Sequence, residues 1–228
     1  MYKQRKFQTK MAVGVIAACA IGLACQNWDL DISQSIQKVK IPGDFRKAIG
    51  LSEVFAHSSG GVVIFATLLW IDIKNRSKLW RAVFFTLLCG TAANAAKLLI
   101  PRYRPHSLDQ AEFEIESSWQ TWGVPWTGSW FDEQLRSFPS GHSATAVALA
   151  IGLTHVYPRG KWMFTFIAGV ACLQRLVSGA HFLSDIMGGV VITMTFSLWY
   201  WKTPGRLTDD NDCENGKLIP KPTALTIE

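Results

Sequence analysis

The residues best suited to chemistry in this chain stand in apolar surroundings. LQRLVSGAHFLSDIMGG, Leu173–Gly189, carries Arg175, His181 and Asp185 between two apolar stretches. A charge inside a bilayer costs about 2.5–3.5 kcal/mol on insertion scales, so such residues read as functional by default. Asp185 follows His181 by four positions, which on one helix puts both side chains on one face. A carboxylate there takes the imidazole N–H, fixes the tautomer and leaves the other nitrogen a better nucleophile or base. Arg175 precedes His181 by six positions, well round to the other side of a continuous helix. Ser178-Gly179 offers a break at which the chain turns and brings Arg175 back beside His181.

Two more stretches carry polar groups of this kind. TAANAAKLLIPRYRPHS holds Lys97 in the last turns of an apolar segment. Pro101 disfavours helix at Ile100, so Arg104 falls in non-helical chain just beyond. Arg102 reads as a basic side chain snorkelling to the interface. In SFPSGHSATAVALA, Ser140 is the N-cap of a helix, and the amides of Gly141 and His142 are free donors at its positive end. Gly141 lets a ligand approach the backbone, and His142 stands beside whatever anion binds. Taken alone, PSGH is equally an ordinary cap with a surface histidine. A cation held by His142, His181 and Asp185 is the competing use of these side chains. Lys97, Arg104 and Arg175 would crowd it with positive charge, so phosphate is the better guest, and neither metal nor other cofactor is expected.

The elements that must position these groups are apolar and long. Of 228 residues 49% are hydrophobic and 18% charged, against ~25% charged in an ordinary soluble domain. The ten tryptophans suit a membrane–water interface. The net charge of +6 accompanies no nucleic-acid motif. Five scattered cysteines without a CxxC pair give neither a disulfide framework nor a zinc site. Apolar segments lie at Met11–Cys25, Gly60–Ile73, Leu79–Ile100, Ala144–Val156, Trp162–Val177 and Ile186–Trp201. Basic residues mark alternate connections: MYKQRKFQTK, then Lys74, Arg76, Lys78 and Arg81, then Arg159 and Lys161, then Lys202 and Arg206. A soluble bundle has no reason to alternate in this way. The positive-inside rule puts all of these, and both termini, in the cytoplasm.

The expected fold is therefore all-α: a polytopic membrane protein with a bundle of six transmembrane helices. Residues 1–59 hold a cytoplasmic start, the first span and an outer loop; 60–201 a core of five spans; 202–228 a polar cytoplasmic tail, expected to be disordered from Thr208 onward. The basic start, short apolar run and GLAC imitate a secretory or lipoprotein signal, but Gly22 fits poorly, and an uncleaved first span is expected. The outer loop Gln26–Ser59 is expected to form short amphipathic helices on the surface. The other, His106–Phe138, has acidic Asp109, Glu112, Glu114 and Glu116, then Trp119, Trp122, Trp126 and Trp130. These tryptophans read as an aromatic belt, with a lid over a lipid site as the alternative.

Lys97-x6-Arg104-Pro105, Pro139-Ser140-Gly141-His142 and Arg175-x5-His181-x3-Asp185, in this order, resemble the motifs of the type 2 phosphatidic acid phosphatase family. That family shares its site with the vanadium haloperoxidases. The resemblance covers about Gly60 to Trp201, and departs at Gln174, where the family often has Ser. It implies that Lys97, Arg104 and Arg175, with the Ser140 hydroxyl and Gly141 amide, form a phosphate cradle. It makes His181 the nucleophile that forms a phosphohistidine, Asp185 its orienting partner, and His142 the general acid and then base. The implied activity is metal-independent hydrolysis of a lipid phosphomonoester or diphosphate. The partners would be that substrate and membrane lipids, with no nucleic acid. The implied place is a bacterial inner membrane with the site on the periplasmic face. A lipid phosphotransferase using the same histidine is the alternative. A vanadate-dependent haloperoxidase is disfavoured by the spans, and a transporter or scaffold with a decayed site by the intact motifs.

Overall fold

A computed structural model describes residues 2–110, 115–124 and 132–201. The expected tail, with Lys202 and Arg206, lies outside the described residues, as do Glu112, Glu114, Trp126 and Trp130. The described residues are helical apart from connections, and their only strand-like features are bridges of Arg102 with Trp122 and with Arg136.

Helix α1, Tyr2–Cys25, leads through a short 3-10 turn into α2, Asp29–Lys38. Then come α3, Gly43–Leu51, the single turn α4, Glu53–Ala56, and α5, Ser58–Ile71. Helices α2 to α4 fall within Gln26–Ser59, where short helices are expected. Helix α6, Arg76–Leu99, stops where Pro101 requires, with Ile100 as its C-cap. Helices α7, Gly141–Val156, α8, Lys161–Val177, and α9, Leu183–Tyr200, complete the bundle.

Three stretches are long and apolar enough to cross a bilayer: Arg5–Lys38, Ile73–Leu99 and Leu183–Tyr200. The pair Gly43–Ala56 and Ser58–Ile71, bent by 68° at its break, is a fourth if taken as one span. Helices α7 and α8 have 16 and 17 residues. At about 1.5 Å per residue both fall short of a ~30 Å hydrocarbon core. By length and composition the described helices give three or four crossings, fewer than the six that charge alternation suggests. The outer surface is one that water would not tolerate: Trp70, Trp162 and Phe166 are among many large apolar side chains left exposed. The protein is integral to a membrane.

Helix α7 is the central element, packed against α6, α8 and α9. Its buried face is small, with Ala144, Ala146, Ala148, Ala150 and Gly152, and small residues let helices approach closely where no water drives them together. A Cβ on Gly152 would stand 3.0 Å from Ala82 Cβ of α6. At one end of the bundle the basic connections gather. The His155 ring stacks on Trp201 at 3.9 Å and meets Phe7, Arg81 lies over Trp201, and Tyr157 Oη donates to Asp72. The motif residues lie at the other end.

Candidate active site

Each motif residue is held by a local feature. Ser140 N-caps α7 and accepts from the Ser143 amide, 3.3 Å, and hydroxyl, 2.9 Å. It is fully buried and is not among the residues lining the cavity described below. Its hydroxyl serves the helix cap as the acceptor in both bonds, which leaves its own proton to donate. Gly141 does line the cavity; a Cβ there would stand 3.0 Å from Asn94 Oδ1, so glycine is what allows α6 and α7 to meet beside it. At the end of α8 the chain turns through Gly179, whose φ of 67° is left-handed. The Arg175 carbonyl accepts from the Ala180 amide at 3.1 Å and the His181 amide at 3.3 Å, which ties the arginine to the histidine. His181 precedes α9, while Asp185 lies in its first turn. The two do not share a helix face as the spacing suggests; the Asp185 carboxylate accepts the Phe182 amide at 2.8 Å and caps the helix.

A cavity of about 280 Å³ collects Lys97, Arg104, Arg136, Arg175, Gly141, His142 and His181, with Glu133 also lining it. Lys97 is buried and donates to the Arg136 carbonyl at 2.9 Å. The Nε of Arg104 is buried with no hydrogen-bond partner among the described residues. Burial lowers the Arg104 pKa, opposed by Glu133 and helped by Arg136 and Arg175. Arg175 pairs through Nη2 with Glu53 at 2.7 Å, and its Nε donates to the Gln174 side-chain oxygen. The Gln174 amide reaches Glu53 at 3.4 Å. The departure at Gln174 therefore supplies an amide that braces both members of this pair. The His142 ring lies 5.7 Å from that of His57.

Burial pulls the His181 imidazole down to about 4, with Lys97 and Arg104 adding to that and Asp185 opposing it. The ring is thus neutral near pH 7, the form a nucleophile needs. Among the described residues no three His, Cys, Asp or Glu side chains sit together as metal ligands. Four cations around one small cavity suit a compact anion such as phosphate. A second, apolar groove of about 440 Å³ runs between α5 and α6, lined by Val62, Phe65, Leu69, Trp80 and Val83 among others. It shares Ser58, Asn94 and Thr145 with the polar cavity, so a greasy channel adjoins an anion pocket.

Sequence reasoning missed the group behind His181. Arg102 does not snorkel; it is fully buried. Its Nη2 meets Asp29 at 2.8 Å, its Nη1 meets Asp185 at 2.5 Å and Ser184 Oγ at 2.6 Å, and its Nε donates to Thr121 at 3.0 Å. Trp122 and Phe182 lie over the guanidinium at 4.4 and 4.3 Å, so Trp122 serves this buried charge and not a belt, whereas Trp119 is exposed. Ser184 Oγ also donates to Asp29. The one signal in the sequence is that Arg102, like Arg104, follows the proline that ends α6.

Comparison with known proteins adds a family. The sequence model of the PAP2 superfamily matches residues 78–209. The lipid A 1-phosphatase of Rhizobium johnstonii is 33% identical over 118 residues, 51% of this chain and 44% of that protein. The lipid A 1-phosphatase of Rhizobium etli is 32% identical over 120 residues, 51% and 47% of the two chains. The match thus spans less than half the length of these relatives. The crystal structure of Aquifex aeolicus LpxE superposes with a TM-score of 0.54 at 18% identity, covering 76% of this chain and 94% of that one. The likeness is one of fold.

Proposed function

The chain belongs to the PAP2 superfamily, and from that premise we propose that it is a membrane lipid phosphatase working through a phosphohistidine. The observation that carries the reading is the adjacency of the two cavities: a cation-lined pocket holding His181 and His142, opening beside an apolar groove. Phosphate in the pocket with a lipid chain in the groove is one ligand, not two.

In this reading Lys97, Arg104 and Arg175, with the Gly141 amide, hold the phosphoryl oxygens and stabilise the charge that develops on them. His181 attacks phosphorus with the nitrogen turned away from Asp185. The ester P–O bond breaks, and the leaving oxygen takes a proton from His142. Water then gives a proton to His142 and attacks phosphorus, the P–N bond breaks, and inorganic phosphate leaves. The cations do the neutralising, so no metal is required.

The names of the relatives make a phosphorylated glycolipid of the lipid A type the first substrate to test. The basic connections gather at the end opposite the site. This supports six crossings, counting α5 with its bent partner and the short α7 and α8, with both termini cytoplasmic and the site on the periplasmic face of the inner membrane. Residues 60–201 would then be the catalytic core.

The test is phosphate release by purified protein in detergent from lipid A, phosphatidic acid, phosphatidylglycerol phosphate and an isoprenyl diphosphate, each with chelator present. Release from at least one, lost in His181→Ala, is expected. Full activity in His181→Ala, or activity abolished by chelator, overturns the reading.

A further inference from the structure

His181 and Asp185 face each other without a direct hydrogen bond. Nδ1 of the ring lies 3.8 Å from Oδ2 of the carboxylate, beyond hydrogen-bond reach. The Ser137 hydroxyl stands between them, 2.6 Å from Asp185 Oδ2 and 3.4 Å from His181 Nδ1. A hydroxyl has one proton to give, and an ionised carboxylate only accepts. The Ser137 proton therefore goes to Asp185, and its oxygen lone pair faces Nδ1. This favours the tautomer with hydrogen on Nδ1 and leaves Nε2 free to attack.

Ser137 is itself held by Arg102. The Ser137 amide donates to the Arg102 carbonyl at 3.0 Å, and the Arg102 amide donates to the Leu135 carbonyl at 2.7 Å. The Arg102 guanidinium meanwhile grips the other carboxylate oxygen of Asp185. One residue thus fixes the acid through its side chain and the hydroxyl through its main chain. Asp29 and Ser184 close the far side. Asp29, Arg102, Ser137, His181 and Asp185 are all buried, so water cannot replace a missing link.

We propose that Ser137 is a positioning residue that relays the hold of Asp185 on His181, and that Arg102 aligns the relay. Neither is a fixed position of the three motifs. The proposal rests on His181 being the nucleophile. When Nε2 bonds phosphorus and the ester P–O bond breaks, the ring gains positive charge and Nδ1 keeps its proton. Ser137 and Asp185 then face that charge with an oxygen lone pair and a carboxylate.

Ser137→Ala removes the hydroxyl and spares the two main-chain bonds that join residues 135 and 137 to Arg102. We expect kcat to fall about tenfold to a hundredfold, the scale of losing a partner that orients an active group, with KM within about twofold. A merely structural role would not produce that split. The decisive measurement is a double-mutant cycle with Asp185→Asn. Members of one relay are non-additive, so Ser137→Ala/Asp185→Asn should be no slower than Asp185→Asn alone. Native kcat in Ser137→Ala, or losses that multiply in the double variant, would overturn the relay. Should Ser137→Ala not fold, as judged by its melting transition, Ser137→Thr decides. Near-native kcat with the hydroxyl retained supports the relay, and a tenfold loss overturns it. Native protein that releases no phosphate from any lipid fails the phosphatase reading instead, which keeps the two failures apart.

Discussion

Arg102 and Arg104 stand two residues apart and live in opposite surroundings. Arg102 lies behind His181, bonded to two carboxylates and two hydroxyls and covered by two aromatic faces. Arg104 lies in front, in the cavity, with a buried Nε that no described residue satisfies. The difference separates two uses of buried charge. A guanidinium with four of its five N–H donors bonded to buried protein groups has little left for a ligand and serves to hold other groups. One left short of acceptors in a pocket is stabilised by whatever anion enters.

The comparison breaks first on stability. Removing one partner from a buried ion pair costs about 3–5 kcal/mol, because the remaining charge is stranded. Arg102→Ala strands both Asp29 and Asp185, so a loss of that order is expected in detergent unfolding. Arg104→Ala relieves repulsion with Arg136 and Arg175 and should melt no earlier than the native protein. Its cost falls on catalysis, about 10²–10³-fold in phosphate release, as for the loss of one preorganised donor to transition-state charge. If Arg104→Ala melts as early as Arg102→Ala, the distinction fails.

A pH profile sharpens it. His181 is held at about 4 in the fold, against about 6.5 in an unfolded chain. Below about 6.5 the unfolded chain binds a proton that the folded one refuses. Stability from this group is thus full above about 6.5 and lost as pH falls toward 4. For the same reason the acid limb of kcat/KM set by His181 should lie well below that of an exposed histidine. Arg104→Gln removes one of the cations that depress the ring, so this limb should move to higher pH. An unmoved limb would show that Arg104 does not act on His181.

What the sequence made legible follows from rules of short range. Pro101 ends α6, Ser140 caps α7, and Ser178-Gly179 turns the chain so that Arg175 and His181 meet. Lys97, Arg104, Gly141, His142, Arg175 and His181 line the cavity, and Asp185 stands behind His181. Arg102 was not legible because its partners come from chain positions 29, 121, 184 and 185. No local pattern distinguishes a basic residue that finds two distant carboxylates from one that reaches for headgroups. Ser137 was hidden for the same reason, and the spacing of His181 and Asp185 suggested a direct contact on one helix where a hydroxyl intervenes. Charge alternation counts six crossings because it reads connections, whereas helix length passes over α7, packed at the centre of the bundle, and α8, which leaves Trp162 and Phe166 exposed.

The smallest effect concerns Arg175, which lies between the two cases. It faces the cavity, yet its guanidinium is occupied by Glu53 and Gln174. The Glu53 side chain is 40% exposed against 9% for Arg175, so the pair resembles a surface ion pair worth at most about 1 kcal/mol. Such a carboxylate is a tethered anion that competes with phosphate for the same donors and yields to it at little cost. Glu53→Gln should therefore strengthen inhibition by inorganic phosphate about two- to fivefold, the range that up to 1 kcal/mol allows, with little change in melting. Gln174→Ser should act in the same direction and less, since it removes only the brace. Weaker phosphate inhibition in Glu53→Gln would assign Glu53 the opposite role, holding Arg175 in place, and would group Arg175 with Arg102.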